Sequence, residues 1–304
     1  MDRSNRRIVA TLTTLPDRYE LLYKTIKSLI SLDIKLDAIY ISLPKRTKRF
    51  NTEYPELPEK IKKHCTVVDI DQDYGPITKI LGALRMETDP ETIILCVDDD
   101  IIYPSDLLTS YLRYSVKYPN DCICSGGISY NNGMLYSSVY NNNDNITTLN
   151  GLLGFEIPES GRSIDIVFGV SGVLYKRKFF PKYENLYEEI LKYVLEDNNT
   201  FLNDDVMLSG YLSKKGIIKR IVPNIPHVEN QINEGPRLSA NIVAMAGSID
   251  KSIAYLKTKN LFVTSNTSNV MDSPFFKILF ILILLIILGF CIWYSYNNLI
   301  ILPI

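Results

Sequence analysis

The sequence predicts an α/β fold, a mostly parallel central sheet flanked by helices, with a C-terminal transmembrane helix after it. Three observations lead there. Short β-rich runs alternate with helix-period segments from Ile8 to Lys117, the pattern of βαβ units. The run Thr92–Val97 is nearly all apolar, as a strand buried on both faces requires. Phe275 to Tyr294 is apolar apart from Lys277, and about twenty helical residues span a bilayer core of about 30 Å.

The elements follow in order. Ile8–Leu12 is a short strand. Leu22, Ile26 and Leu29 recur on one face of a helix expected over Tyr19–Leu32. Ala38–Leu43 is a second strand, stopped by Pro44, and the charged, proline-containing stretch 44–60 reads as a loop. Cys65–Ile70 is a third strand, Thr78–Met86 a helix, Thr92–Val97 the fourth strand and Leu107–Lys117 a helix. In such sheets ligands bind outside the carboxyl ends of the strands. Beyond residue 121 the pattern changes. Cys122–Ser129 and Met134–Tyr140 are expected to pair as a hairpin around Asn131-Asn132-Gly133. Asn141–Asn145 is an asparagine-rich loop. Ile164–Val170 and Val173–Tyr175 read as strands, Asp204–Lys214 as an amphipathic helix, and Ile217–Val222 as the last strand.

Composition narrows the function classes. With 46% hydrophobic and 22% charged residues, the 304-residue chain is not a disordered one. Lys+Arg is 33 against Asp+Glu 34, a net charge of −1, without the basic excess of a protein that binds nucleic acid through its phosphates. No nucleic-acid partner is therefore expected. Five cysteines without C-x-x-C spacing point to reduced core thiols rather than a disulfide framework. The two histidines, His64 and His227, exclude a zinc site built from several histidines.

The N-terminus carries no apolar h-region, so no signal peptide is expected. Trp293, Tyr294 and Tyr296 close the apolar segment at the depth where aromatic residues favour the interface. Lys251, Lys257, Lys259 and Lys277 precede it and no Lys or Arg follows. The positive-inside tendency then places the large domain on the cytosolic side of a single-pass anchor. The expected divisions are a soluble domain over 1–230, a helical extension and polar linker over 231–273, the transmembrane helix over 274–296 and a short tail over 297–304. Thr264 to Asn269 is the polar part of the linker.

Four clusters carry chemistry. Asp98-Asp99-Asp100 directly follow the apolar fourth strand. Like charges so close call for a positive partner. Strand alternation would turn Asp98 and Asp100 to one side and Asp99 to the other. Two such hard oxygen ligands suit Mg²⁺ or Mn²⁺ holding a substrate diphosphate; the plain alternative is a solvated acidic turn or a cap. In Asp73-Tyr74-Gly75-Pro76-Ile77-Thr78-Lys79, the lysine sits in the first turn of a helix, where a cation opposes the dipole. A diphosphate there would account for it; so would solvation or pairing with Asp73. Thr13-Thr14-Leu15-Pro16-Asp17-Arg18 brings hydroxyls, amides and a guanidinium to the same sheet edge, or supplies only a cap and a surface arginine. Asn203-Asp204-Asp205 opens the late helix, as caps or with a carboxylate placed as general base. His227 follows the last expected strand, either structural or completing a metal site beside the aspartates.

Taken together, Thr11-Leu12-Thr13-Thr14-Leu15-Pro16-Asp17-Arg18, Asp73-Tyr74-Gly75-Pro76-Ile77-Thr78-Lys79, Cys96-Val97-Asp98-Asp99-Asp100 and Asn203-Asp204-Asp205 resemble a GT-A-type, Rossmann-like glycosyltransferase, close to the family-2-like enzymes. The resemblance covers about residues 6–230. It implies an Asp-x-Asp motif at Asp98 and Asp100, with Asp100 the closer metal ligand and His227 a further one. Asp99 would lie near the ribose or sugar. Thr13, Arg18 and Asp73 would line the nucleotide site, and Lys79 would approach the base or diphosphate. Phe168-Gly169-Val170-Ser171-Gly172 resembles the strand that shapes the acceptor cleft. Asp205 would be the catalytic base of an inverting displacement. The family often has Glu-Asp there, so the choice between Asp204 and Asp205 stays open. The implied reaction uses Mn²⁺ or Mg²⁺ and moves sugar from a nucleotide-sugar donor to a carbohydrate, lipid-linked or protein acceptor at a membrane. The Gln-x-x-Arg-Trp motif of processive synthases is absent, and the only tryptophan is Trp293, which favours transfer of a single sugar. Two other readings compete: a catalytically inactive membrane-anchored binding protein and a metal-dependent phosphohydrolase.

Overall fold

The computed structural model describes residues 6–48, 51–131, 134–137, 157–226, 228–230 and 242–262. His227, the asparagine-rich loop, the polar linker and the expected membrane segment lie outside them. Among the described residues, no helix is long and apolar enough to cross a membrane. The chain divides into two compact units, Met1–Thr264 and Ser265–Ile304, the second wholly outside the described residues.

The first unit begins β1 (Ile8–Leu12), α1 (Tyr19–Ile30), β2 (Ala38–Pro44), α2 (Glu59–Lys62), β3 (Thr66–Ile70), α3 (Thr78–Met86) and β4 (Ile93–Cys96). Then come β5 (Ile101–Ile102), α4 (Leu107–Lys117), β6 (Cys122–Cys124), β7 (Gly127–Asn131), β8 (Met134–Ser137), β9 (Arg162–Ile164), β10 (Ile166–Val167) and β11 (Val173–Lys176). A π-helical turn, α5 (Tyr187–Leu191), runs into α6 (Lys192–Glu196), α7 (Asn198–Leu202) and α8 (Asp204–Lys214). β12 (Lys219–Ile221), β13 (Glu229–Asn230) and α9 (Ile242–Thr258) complete it.

The central sheet has the order β3-β2-β1-β4-β11-β6-β12-β9. β3, β2, β1 and β4 are parallel neighbours. β11 is antiparallel to β4 and β6, β12 is parallel to β6, and β9 is a reversed edge strand. A mostly parallel sheet flanked by helices is thus the architecture. Its strand order reverses at β1, which lies between β2 and β4, the place where such sheets open a ligand crevice.

β1 explains the two-layer burial. Ile8, Ala10 and Leu12 pack with α1 and α4 on one face, while Val9 packs with α3 on the other, and all are buried. Burying Ile8, Val9 and Leu12 contributes about 1.5–3 kcal/mol each. The second face is completed by α8 and α9.

Four expectations change in the structure. Cys122–Ser129 is not one strand: it breaks at Ser125-Gly126, so that β6 joins the central sheet while β7 pairs antiparallel with β8. Ile164–Val170 likewise splits between β9 in the central sheet, β10 beside β7, and a 3-10 turn, Gly169–Ser171. Helix α8 is not amphipathic. It is buried from Val206 to Leu212 because α9 covers the side that sequence would give to solvent. Gly210 permits that approach, since a Cβ there would lie 3.3 Å from Leu256 Cδ1 of α9 and 3.0 Å from the carbonyl oxygen of Leu261 just beyond it. The strand at Ile217–Val222 is not the last, because β13 follows and pairs with β5.

Helix α3 is drawn tightly onto the sheet. The Gly82 N–H donates to Ser42 Oγ at 2.8 Å, and a Cβ on Gly82 would meet that oxygen at 2.6 Å. Gly82→Ala therefore destabilises by about 1–3 kcal/mol through overpacking, although alanine ordinarily favours a helix by about 1 kcal/mol. Ser42→Ala in the same chain recovers part of the loss. Urea unfolding of the single and double variants checks this; a Gly82→Ala chain more stable than the parent contradicts it.

Candidate functional site

The chemistry-bearing segments meet at the carboxyl edge of the parallel strands. β1 delivers Thr13, Thr14 and Arg18; β3 delivers Asp73; β4 delivers Asp98, Asp99 and Asp100; the antiparallel β11 starts at this edge after the Gly169–Ser171 turn. Helix α8 brings Asp204 and Asp205 in its first turn.

Lys79 is the centre of the arrangement. Its side chain is 8% exposed, and its Nζ lies 2.9 Å from Asp98 Oδ1 and 2.8 Å from Asp204 Oδ2. The first contact is a hydrogen bond. The second is off-line, so the buried Asp204 Oδ2 accepts no hydrogen bond and is held by charge alone. Burial works against the ammonium, but Asp204, Asp98 and Asp205 together raise its pKa well above the ordinary lysine value. The cation that opposes the helix dipole in α3 is therefore placed there by carboxylates. The Lys79 carbonyl accepts from Thr11 Oγ1 at 2.5 Å, which ties the first turn of α3 to β1.

The acidic triplet does not alternate as a strand would. β4 ends at Cys96, and Asp99-Asp100 lie in a turn. Arg18 Nη1 reaches both Asp99 Oδ1 (3.2 Å) and Asp100 Oδ2 (3.4 Å), while Asp98 turns to Lys79. Thr14 Oγ1 donates to Asp99 Oδ2 at 2.5 Å. Burial pushes the Asp99 carboxyl up to about 6 despite Arg18 and Thr14. Asp100 is raised by burial and then by Asp98. Asp99 is thus enclosed, whereas the Asp98 and Asp100 side chains keep 32% and 19% exposure.

Asp205 Oδ2 accepts from the Gly169 N–H at 3.0 Å. A Cβ on Gly169 would lie 3.1 Å from both Asp205 Oδ1 and Lys79 Nζ, so glycine is what lets the turn close over them. Burial, then Asp204, raises the Asp205 carboxyl above the ordinary carboxylate range. Asp204 is the more enclosed of the two, 8% exposed.

The other sequence-selected residues support the edge. Thr13 Oγ1 donates to the Ser42 carbonyl at 2.8 Å, joining the ends of β1 and β2. Asp73 accepts from the Lys48 N–H and the Gly75 N–H, both at 2.7 Å. Gly75 has φ 73°, and a Cβ there would strike the Phe201 carbonyl oxygen at 2.3 Å. His227 is outside the described residues. Two contributors were not visible in the sequence. Tyr54 reaches across to donate to the Thr14 carbonyl at 2.9 Å. Tyr103 Oη accepts from the Asp98 N–H at 2.9 Å. Their only sequence signal is an isolated tyrosine each. The segment Phe168–Gly172, expected as a strand, is a 3-10 turn at Gly169–Ser171, and its Gly169 amide fixes Asp205.

Among the described residues, no group of three or more His, Cys, Asp or Glu is arranged to hold a metal ion. Asp98 and Asp100 still fit a hard divalent cation: two partly exposed carboxylates, one raised by the other, are relieved by positive charge. Mg²⁺-type ions ordinarily take one or two carboxylates and complete their shell with phosphate oxygens and water. Neither a protein-family model nor a curated protein matches this chain.

The Asp99 environment has a pH signature. Its folded pKa of about 6 exceeds the unfolded value of about 3.9. The folded state therefore binds the proton first, and stability from this group rises as pH falls from 7 through 6 toward 4. Wild type gains about 2 kcal/mol over Asp99→Asn between pH 7 and pH 4.5 in urea unfolding with EDTA present. A stability difference that stays constant or moves the other way rejects the assignment.

Proposed function

We propose that the chain is a GT-A-type glycosyltransferase that uses Mn²⁺ or Mg²⁺ and moves one sugar from a nucleotide-sugar donor to an acceptor hydroxyl with inversion. The observation that carries this reading is the convergence of Asp98, Asp100 and Asp205 at one sheet edge, where Lys79 hydrogen-bonds Asp98, Arg18 reaches Asp100 and the Gly169 N–H holds Asp205. The strand order supports it, because the reversal at β1 puts this edge where α/β sheets bind nucleotides.

Asp98 and Asp100 hold the cation on the diphosphate. When bound, the cation offsets the charge that the departing diphosphate acquires. Asp205 accepts the proton of the acceptor hydroxyl as that oxygen attacks the anomeric carbon and the bond to the diphosphate breaks on the opposite face. The raised pKa of Asp205 suits a base working near neutrality. The Gly169 N–H fixes one of its oxygens. Asp204 is buried against Lys79, so of the two acids Asp205 is assigned the proton transfer and Asp204 the placement of the lysine. Arg18 and Thr14 keep Asp99 in place beneath the site.

The test is calorimetry of the full-length chain with a panel of nucleotide sugars, in Mn²⁺ and in EDTA. One donor class binds with Mn²⁺ only, and Asp98→Asn/Asp100→Asn weakens it by at least about tenfold, as removal of charged ligands should. With an acceptor in hand, Asp205→Asn keeps donor binding while turnover falls by about 10²–10⁴-fold. A folded wild-type chain that binds no nucleotide sugar rejects the transferase and returns weight to the binding-protein and phosphohydrolase readings.

A further inference from the structure

Lys79 does more in this geometry than balance the charge of buried carboxylates. Its ammonium is wedged among three elements: the end of β4 through Asp98, the first turn of α8 through Asp204, and the Gly169 turn. It has little freedom to leave. The side chain is 8% exposed, its own carbonyl is tied to the fully buried Thr11, and a single added carbon on Gly169 would lie 3.1 Å from Nζ.

That fixed charge bears directly on Asp98. One carboxylate oxygen is already hydrogen-bonded to the ammonium. A divalent cation ligated by Asp98 would share that carboxylate with Lys79 and sit within a few ångströms of a like charge in a poorly solvated place. Such repulsion is far stronger than between exposed groups. Bare Mn²⁺ therefore meets an occupied ligand and a repelling neighbour. A Mn²⁺–diphosphate complex is different, because the diphosphate makes its net charge negative and the same ammonium attracts it.

We propose that Lys79 is a positioning residue that acts as a built-in counter-cation, competing with a bare divalent cation for Asp98 so that the site loads the metal together with a diphosphate. This deepens the transferase reading and rests on it for the diphosphate, but it concerns charge at Asp98 and needs no sugar.

The experiment follows Mn²⁺ by electron paramagnetic resonance in the full-length chain, first alone and then with inorganic pyrophosphate. Lys79→Met is expected to bind Mn²⁺ alone at least about tenfold more tightly than wild type, and the Mn²⁺–pyrophosphate complex at least about tenfold more weakly. This crossing separates the proposal from a structural role, since a disordered site loses both affinities. Adding Asp98→Asn to Lys79→Met removes the gain for Mn²⁺ alone. Where Lys79→Met does not fold by circular dichroism, Lys79→Met/Asp204→Asn restores the charge balance and is expected to show the same crossing. A folded variant whose two affinities fall together, stay unchanged, or are undetectable for Mn²⁺ alone overturns the proposal. The transferase reading fails separately, in the absence of nucleotide-sugar binding, whatever Mn²⁺ and pyrophosphate do.

Discussion

Five carboxyl groups, those of Asp98, Asp99, Asp100, Asp204 and Asp205, crowd one sheet edge, and they can share it because Lys79 and Arg18 lie among them. Burying charge without a partner costs several kcal/mol per group. The two cations remove much of that cost, and the fold around them is arranged to hold them. Thr11 ties the backbone of Lys79, glycine at position 169 opens space for its ammonium, and α8 starts where its first acid meets that ammonium. The cost that remains is visible in the raised carboxyls of Asp99, Asp100 and Asp205, each lifted first by burial and then further by neighbouring aspartates. Positive charge would relieve that cost at the partly exposed Asp98 and Asp100, which is the physical basis for proposing a cation there; a diphosphate, itself an anion, would be held through that cation and Lys79.

The regular part of the fold was legible because local pattern and tertiary environment agree there. β1, α3, α4 and α8 have the bounds that periodicity and turn residues assign to them. Agreement ended where a strand's partner is remote. Nothing local says that Cys124 belongs beside Val173 while Ile128, a few residues on, belongs beside Ile166. Helix α8 shows the same limit from the other side. Its Ser209 and Gly210 look solvent-facing until β10 donates to Ser209 and the C-terminal end of α9, which follows β13, approaches Gly210.

The site divides along the same line. Residue type with position after a strand was enough to select Asp98 and Asp100, and residue type with position at a helix start to select Lys79, Asp204 and Asp205. Their pairing was not readable. Thr14 and Asp99 are 85 residues apart, and Tyr54 reaches Thr14 from a loop with no recognisable pattern. Strand alternation does not hold in the triplet for a local reason: β4 stops at Cys96 and Asp99-Asp100 lie in a turn, so the side chains answer to Arg18 and Lys79 instead of the pleat.

The two acids opening α8 illustrate how such partners separate roles that sequence leaves equivalent. Both sit in the first turn, where the helix dipole favours negative charge, so the dipole cannot tell them apart. Their neighbours can. Asp204 faces inward and spends its charge on Lys79. Asp205 faces the glycine turn, where one backbone N–H orients it, and among the described residues Lys79 pairs with Asp204 and not with it. Removing the charge of Asp204 therefore disturbs where Lys79 sits, and through Lys79 the carboxylate of Asp98. Removing the charge of Asp205 leaves that bridge in place. A lysine that pairs with one acid and not its neighbour thus ties the start of α8 to the end of β4 and leaves the second acid to the backbone, which is why the proposed proton transfer is given to Asp205 and not to Asp204.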